Sequence, residues 1–530
     1  MLKQLDAPLL CPVIVHQPYD EWLESQKGMV GGMMAQNIVV PEIDGGVAPY
    51  AIGAQFPDKQ GHLVFKPIPG RVETFSRLVH NYARLERTPA GDKRIAVVYY
   101  KGPGRNAMIA SGLEVAPSLL NLLQHLRDRG YRTGALPADA DELTELIQRR
   151  GCVPSPYAEG AIEKLINEGE PELIPADTLS AWMHRGMPPE MVRAVEKQYG
   201  QSPGDLYTVT DSTGTRFLAL PRLIFGNVAV IPQLMPGLGD NTFKLVHGVK
   251  RPPPYPYVAT YLWIREGFEA DALIHFGTHG SLEFTPWRQP PLSRYDWSDA
   301  LLGPMPHFYV YVVDNVGEAI IAKRRGYATI LTHLTPPFKP AGTYGDLRLI
   351  NDKINAWYGA ANPRMRAGVR RSIGEMFVEA GLHKDLNLEH LAEREPTPEE
   401  LDRIVEYVQT IGREKITDGL YTWGEPYTEG QMRSTVGEMC VDVLAHTRAR
   451  LDAARGVVSR DSADHSHVPA RRYREWAYGA IDRVLADTAA LSDFVTPAIR
   501  DTLQRLRRMK RRRERYRQEG EKKRANRTGM

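Results

Sequence analysis

The sequence predicts a multi-domain α/β protein, built on open, mostly parallel sheets flanked by helices and ending in a helical C-terminal part. Three observations carry this. KRIAVVYYKGPG, from residue 93, is a run of Ile, Ala, Val and Tyr stopped by Gly-Pro-Gly, which reads as a buried strand and its turn. SLLNLLQHLRDRG follows with leucines at 119, 120, 122, 123 and 126, the spacing of a helix with one apolar face, ahead of a second expected strand, YRTGAL. A strand, a helix and a strand in that order form a βαβ unit and imply a parallel, doubly wound sheet.

In chain order, residues 1–90 mix short apolar segments such as CPVIV and NIVVP with Gly and Pro, and read as strands joined by loops in an incomplete α/β lobe. Residues 91–240 hold the βαβ unit. Residues 241–345 add PYVATYLWIREGF, expected as an amphipathic helix, and DALIHF, expected as a strand; IFGNVAVIPQ, just upstream, is a further expected strand. Residues 346–450 read as helical, with Thr397-Pro398-Glu399-Glu400 as a capping box and proline at the first helical position. Residues 451–530 continue as a helical extension that grades into a basic tail.

Composition sets limits on function. Hydrophobic residues are 42% and charged residues 25%, and no apolar run approaches the ~20 residues of a membrane-spanning helix. Cys11, Cys152 and Cys440 are the three cysteines, far apart and without CxxC spacing, so neither a disulfide framework nor a zinc ribbon is expected and a reducing cytoplasm fits best. The tail from residue 500 holds 14 Lys/Arg against 4 Asp/Glu; its net +10, set against +3 for the whole chain, leaves the first 499 residues at −7. With Tyr516 as its lone aromatic residue, the tail reads as a solvated helix, and no specific nucleic-acid binding is expected. Gly102, Gly104 and Ala107 nearly match a dinucleotide fingerprint, but a proline separates the glycines and the expected next strand lacks its terminal acid, so they read as a turn. No GxxxxGK[ST] occurs, so the chain has no recognisable P-loop of its own.

The chemistry concentrates in DALIHFGTHGSLEFTP, residues 271–286, where His275, His279 and Glu283 fall at every fourth position. Gly277 and Gly280 make a continuous helix improbable there, so the three converge through a strand, a turn and the start of a helix. At the carboxyl end of a strand, two imidazoles and a carboxylate suit a divalent transition metal or proton transfer near neutral pH; a hydrogen-bonded core histidine is the competing structural reading.

HFGTHGSLEF, together with LLGPMPHFYVYVVDNVGEAIIAKRRGYATILTHLTPPF, IFGNVAVIPQ, VHGVKRPPPYPYVATYLWI, VPEIDG and IAVVYY, resembles the family of CobN and the magnesium chelatase large subunit, the large subunits of ATP-dependent class I chelatases. FKLVHGVKRPPPYPYVATYLW and GEAIIAKRR resemble the cobaltochelatase form more closely. The resemblance implies a tetrapyrrole substrate, here a corrin precursor (hydrogenobyrinic acid a,c-diamide) receiving Co2+ in cobalamin synthesis, or protoporphyrin IX receiving Mg2+ as the alternative. It also implies partners, namely an AAA+ protein that hydrolyses ATP and a second protein carrying an integrin-I domain. His275, His279 and Glu283 are then the candidates for metal delivery and proton removal. Lys323, Arg324 and Arg325 are candidates to pair with substrate carboxylates, and His247, His333, Glu42 and Asp44 to approach the substrate. Pro286-Trp287-Arg288 stands where the family has Pro-Gly-Lys, and Tyr255 where many members have histidine. The relatives are longer on both sides, so a partial chain, a split subunit or a truncated tetrapyrrole-binding module without catalysis is also expected.

Overall fold

A computed structural model describes residues 7–100, 108–153, 160–235, 251–278, 280–286, 288–360, 362–412, 414–457 and 471–487. His247, His279, the Gly102–Ala107 segment and the basic tail lie outside them. The chain forms two compact units, one of residues up to Pro336 with Leu420–Glu425, the other of Pro337–Gly419 with residues from Pro426 onward.

The first unit opens with three strands: β1 (Leu9–Pro18) runs parallel to β2 (Gly46–Pro57), and β3 (Leu63–Pro67) antiparallel to β2. NIVVP, expected as extended, is helical: Ile38 is buried against Val13 and Met29 while Val40 and Ile43 point outward. Tertiary packing here overrides the extended preference of β-branched residues.

The main sheet has six strands: β4 (Ile95–Tyr99), β5 (Leu223–Phe225), β6 (Val228–Pro232), β7 (Ala272–Phe276), β8 (His307–Val312) and β9 (Thr329–His333). Their spatial order is β5-β6-β4-β7-β8-β9, and every pairing is parallel except β5 with β6. Three expectations are corrected. YRTGAL is not a strand, because both sides of β4 are taken by β6 and β7. IFGNVAVIPQ is a hairpin rather than one strand, turning at Gly226, whose φ is +57°. The sheet also crosses the boundary expected at residue 240, since β4 and β6 lie before it and β7 to β9 after it. Helix α1 (Tyr255–Leu262) is not amphipathic: all its residues are buried in the apolar layer against this sheet.

Two matched charge pairs hold the frame. Arg71 Nη1 reaches both oxygens of Asp299 at 2.7 and 2.8 Å, its Nε donates to the Ala51 carbonyl at 3.0 Å, and Tyr327 donates to Asp299 at 2.6 Å. Arg288 spans Asp296 through its backbone N–H and its Nε, both at 3.0 Å, and its Nη groups donate to the carbonyls of Trp22 and Leu23.

Among the described residues, the regular structure of the second unit is helical apart from a two-stranded pair, Phe338–Pro340 with Lys415–Thr417. Helices Gly345–Gly359, Pro363–Glu379 and Pro398–Gly412 close around Ile354, Phe377 and Ile404. The capping box is formed, with Glu400 N–H on Thr397 Oγ1 at 3.2 Å and Thr397 N–H on the Glu400 carboxylate at 2.8 Å. Glu429–Ala454 packs against Arg471–Ala486 through Ala445 and Ala477.

Removing one partner of a buried pair strands the other charge. Asp299→Ala is expected to cost about 3–5 kcal/mol of unfolding free energy, with Asp299→Asn less damaging. Denaturant unfolding measures this, and a midpoint equal to the wild type would show that the clamp holds nothing together.

Candidate active site

From β4 the chain pairs first with β6 on one side, then crosses to β7 on the other and winds outward through β8 to β9. The winding reverses between β4 and β7, and in open α/β sheets a ligand crevice lies outside the carboxyl ends at such a reversal. Phe276 and Tyr99 are partners at that end, and the Tyr100 N–H bonds to the Phe276 carbonyl at 3.1 Å. The loop after β7 therefore leaves the sheet at the end where that rule places a ligand.

That loop needs glycine at its first position. Gly277 has φ +97°, and a Cβ there would fall 2.6 Å from Ala110 Cβ. The Thr278 hydroxyl accepts the Val312 N–H at 2.9 Å and ties the loop to β8. A single 3-10 turn, Leu282–Phe284, replaces the expected helix and turns Glu283 inward, where it is 1% exposed. Tyr309 donates to Glu283 at 3.0 Å, and the Tyr309 oxygen accepts the Gly280 N–H. Burial first, then the charge of Glu283, pushes the Tyr309 hydroxyl well above its ordinary value, so it stays a phenol that donates.

His275 is also 1% exposed. Its Nδ1 lies 2.6 Å from His307 Nε2, and its Nε2 lies 2.9 Å from the Tyr261 hydroxyl. His307 Nδ1 lies 2.6 Å from the Gly326 carbonyl oxygen. Burial lowers both imidazoles: His275 goes well below its ordinary value, with His307 adding to the shift, and His307 falls to about 4 against the raising effect of the Gly326 carbonyl. Both rings are therefore neutral at pH 7. With both nitrogens engaged by Tyr261 and His307, His275, a candidate ligand from the sequence, offers no free lone pair to a metal in this arrangement. Among the described residues no three His, Cys, Asp or Glu side chains gather as a metal-holding group.

The remaining candidates divide. Arg324 is not open to a substrate carboxylate: it grips Glu42 with contacts of 2.7 to 3.1 Å, so two expected substrate groups satisfy each other. Arg325 is buried at the end of helix α2 (Val316–Arg325), donating to the Thr285 carbonyl, and burial lowers its guanidinium. Lys323 is half-buried on the same helix. Asp44 is exposed and its N–H closes the turn after Val40–Ile43, the turn role open to an Asp-Gly pair. His333 ends β9, stacks on Tyr421 at 5.8 Å, and has its Nδ1 on the Leu334 carbonyl, while its buried Nε2 has no hydrogen-bond partner among the described residues.

Sequence reasoning missed Tyr261, His307 and Tyr309. The alternation in HFYVYV carried the latter two: His307, Tyr309 and Tyr311 occupy every second position of β8 and share a face. His275 pairs with Tyr309 across the ladder, with ring centroids 5.0 Å apart.

A neutral buried histidine makes stability depend on pH. Below 6.5, the ordinary imidazole value, the unfolded chain binds protons that the folded His307 refuses until about pH 4. Stability is full above the unfolded value and is lost as pH falls between the two, at up to about 1.4 kcal/mol per pH unit for each histidine. Urea midpoints measured between pH 7 and 5 are expected to fall on acidification, less steeply in His307→Gln, and a flat wild-type profile would contradict the neutral dyad.

The sequence model of the CobN/Magnesium Chelatase family matches residues 1–528. The chain is 30% identical over 438 residues to the large (H-type) magnesium-chelatase polypeptide of Chlorobaculum parvum, a match covering 80% of this chain and 32% of that protein. It is 28% identical over 437 residues to the aerobic cobaltochelatase subunit CobN of Sinorhizobium sp, covering 80% and 33% respectively. Among solved structures, the catalytic subunit of cobaltochelatase from Mycobacterium tuberculosis superposes with a TM-score of 0.76 at 26% identity, over 93% of this chain and 42% of that one. The chain spans about a third of the length of the curated relatives it matches. By a match that runs across nearly all its residues, the chain belongs to the CobN/magnesium chelatase family.

Proposed function

We propose that this chain is the tetrapyrrole-handling part of an ATP-dependent cobaltochelatase, placing Co2+ in hydrogenobyrinic acid a,c-diamide while an AAA+ partner subunit hydrolyses ATP alongside a second partner with an integrin-I domain. The observation that supports it most is the placement of Glu283, a buried carboxylate with a phenol donor, on the loop at the winding reversal of the sheet. Metal insertion exchanges two ring N–H protons for one dication, so the site needs a base beside the macrocycle. Glu283 takes one ring proton on the carboxylate that Tyr309 orients, and water shed by the incoming cation carries off the other. His279, on the same loop, is the candidate metal ligand, and Lys323 the candidate partner of a substrate carboxylate.

Cobalt over magnesium rests on the resemblance of FKLVHGVKRPPPYPYVATYLW and GEAIIAKRR to cobaltochelatase forms. Magnesium insertion into protoporphyrin IX is the alternative, in line with 30% identity to a magnesium-chelatase polypeptide.

Titration of the purified chain with the metal-free corrinoid and, separately, with protoporphyrin IX is expected to shift the corrinoid absorption spectrum saturably. A shift with protoporphyrin alone would move the assignment to magnesium. With partner subunits and ATP present, Glu283→Gln is expected to slow metalation by about 100-fold without changing the titration. Unchanged rates would remove Glu283 from the chemistry, and binding without any wild-type metalation would make the chain a non-catalytic tetrapyrrole binder.

A further inference from the structure

We propose that His307 is a positioning residue that fixes which nitrogen of His275 carries the proton, and so turns the basic nitrogen of His275 toward Tyr261. The direction of the hydrogen bonds follows from one end of the chain. The Gly326 carbonyl only accepts, so His307 Nδ1 carries a hydrogen and donates to it. This carbonyl follows the last residue of α2, where the negative end of the helix dipole strengthens it as an acceptor.

A neutral His307 then presents a lone pair at Nε2, and the 2.6 Å contact requires a hydrogen on His275 Nδ1. His275 Nε2 is left as an acceptor, filled by the Tyr261 hydroxyl at 2.9 Å; the Gln233 oxygen, at 3.4 Å from the same hydroxyl, is the weaker contact. The opposite arrangement needs a cationic His307, yet both rings are 1% exposed and among the described residues no carboxylate bonds to either. Tyr257, whose ring lies 5.2 Å from that of Tyr261, bonds Ser281 at 3.0 Å, so the relay reaches the loop that carries Glu283.

The consequence rests on the chelatase reading. The one nitrogen of His275 able to take a proton or a metal is Nε2, and it becomes available only when the Tyr261 hydroxyl is displaced. His307 would thus act through His275 without touching the substrate.

The test reads the tautomer directly and does not depend on that reading. In [15N]histidine-labelled protein at pH 7, with the resonance assigned through His275→Gln, long-range 1H–15N correlation is expected to show His275 protonated at Nδ1 and bare at Nε2. The pattern should persist in His307→Gln, whose amide oxygen still accepts, and be lost in His307→Leu, which offers no acceptor. A wild-type His275 protonated at Nε2 or at both nitrogens overturns the proposal whether or not the variants fold, and so does an unchanged pattern in a folded His307→Leu. If neither tetrapyrrole titrates the wild type, the chelatase reading fails while the tautomer result stands.

Discussion

The reversal of winding at β4 is the constraint on which the site depends. Once β6 and β7 occupy its two sides in parallel, every carboxyl end from β6 to β9 lies along one edge of the sheet, and the loop after β7 starts from that edge. β4 is covered by neighbours on both sides and by packed layers above and below, so all five of its residues are apolar or aromatic and buried. It can contribute no charge. Polar side chains come instead from β7 and β8, where His275, His307, Tyr309 and Tyr311 interrupt two otherwise apolar strands.

Charge is treated differently in the frame and in the crevice. Around the site, Arg71 with Asp299 and Arg288 with Asp296 form buried pairs in which each ion is matched and its remaining hydrogen-bonding groups are largely met by backbone carbonyls. Such pairs contribute little net stability, but breaking one is costly, so they fix position. Within the site, Glu283 accepts a hydrogen bond from the Tyr309 phenol, and the buried Arg325 guanidinium acts on it electrostatically. Burial likewise keeps the neighbouring imidazoles of His275 and His307 uncharged.

Much of the architecture was legible in the sequence because it is written in local pattern. The apolar run of β4, the leucine spacing of the helix Val115–Asp128 and the capping box at Thr397 each depend on residues close in the chain. What escaped notice depends on partners far away. YRTGAL has strand composition but finds both sides of β4 filled, and α1 is buried all round because its setting is apolar on every side. At the site, the four-residue spacing of His275, His279 and Glu283 suggested one ligand set. It could not reveal that Tyr261 and His307 would take both nitrogens of His275, since those partners lie 14 and 32 residues away. Lys323, Arg324 and Arg325 looked alike as cations, yet a helix aims successive side chains in different directions, so one finds Glu42 and another the Thr285 carbonyl.

The Pro286-Trp287-Arg288 departure takes on a physical meaning through Arg288. At 1% exposure, with its donors on Asp296, Trp22 and Leu23, its guanidinium is consumed within the protein and cannot reach a macrocycle. Gln289 N–H to the Gln26 carbonyl at 2.9 Å, and Met29 N–H to the Pro290 carbonyl at 3.0 Å, extend the same attachment. Gly28 is part of it, since at φ +59° a Cβ there would lie 2.1 Å from the Gln289 carbonyl oxygen. The loop after β7 is thus pinned at one end by the close approach of Gly277 to Ala110 and at the other by Arg288. Between the two anchors, Gly280 and Glu283 are bonded to Tyr309, Ser281 to Tyr257 and the Thr285 carbonyl to Arg325, so the loop is held along its length and the direction of Glu283 is set by the fold rather than by the loop's own conformational preference.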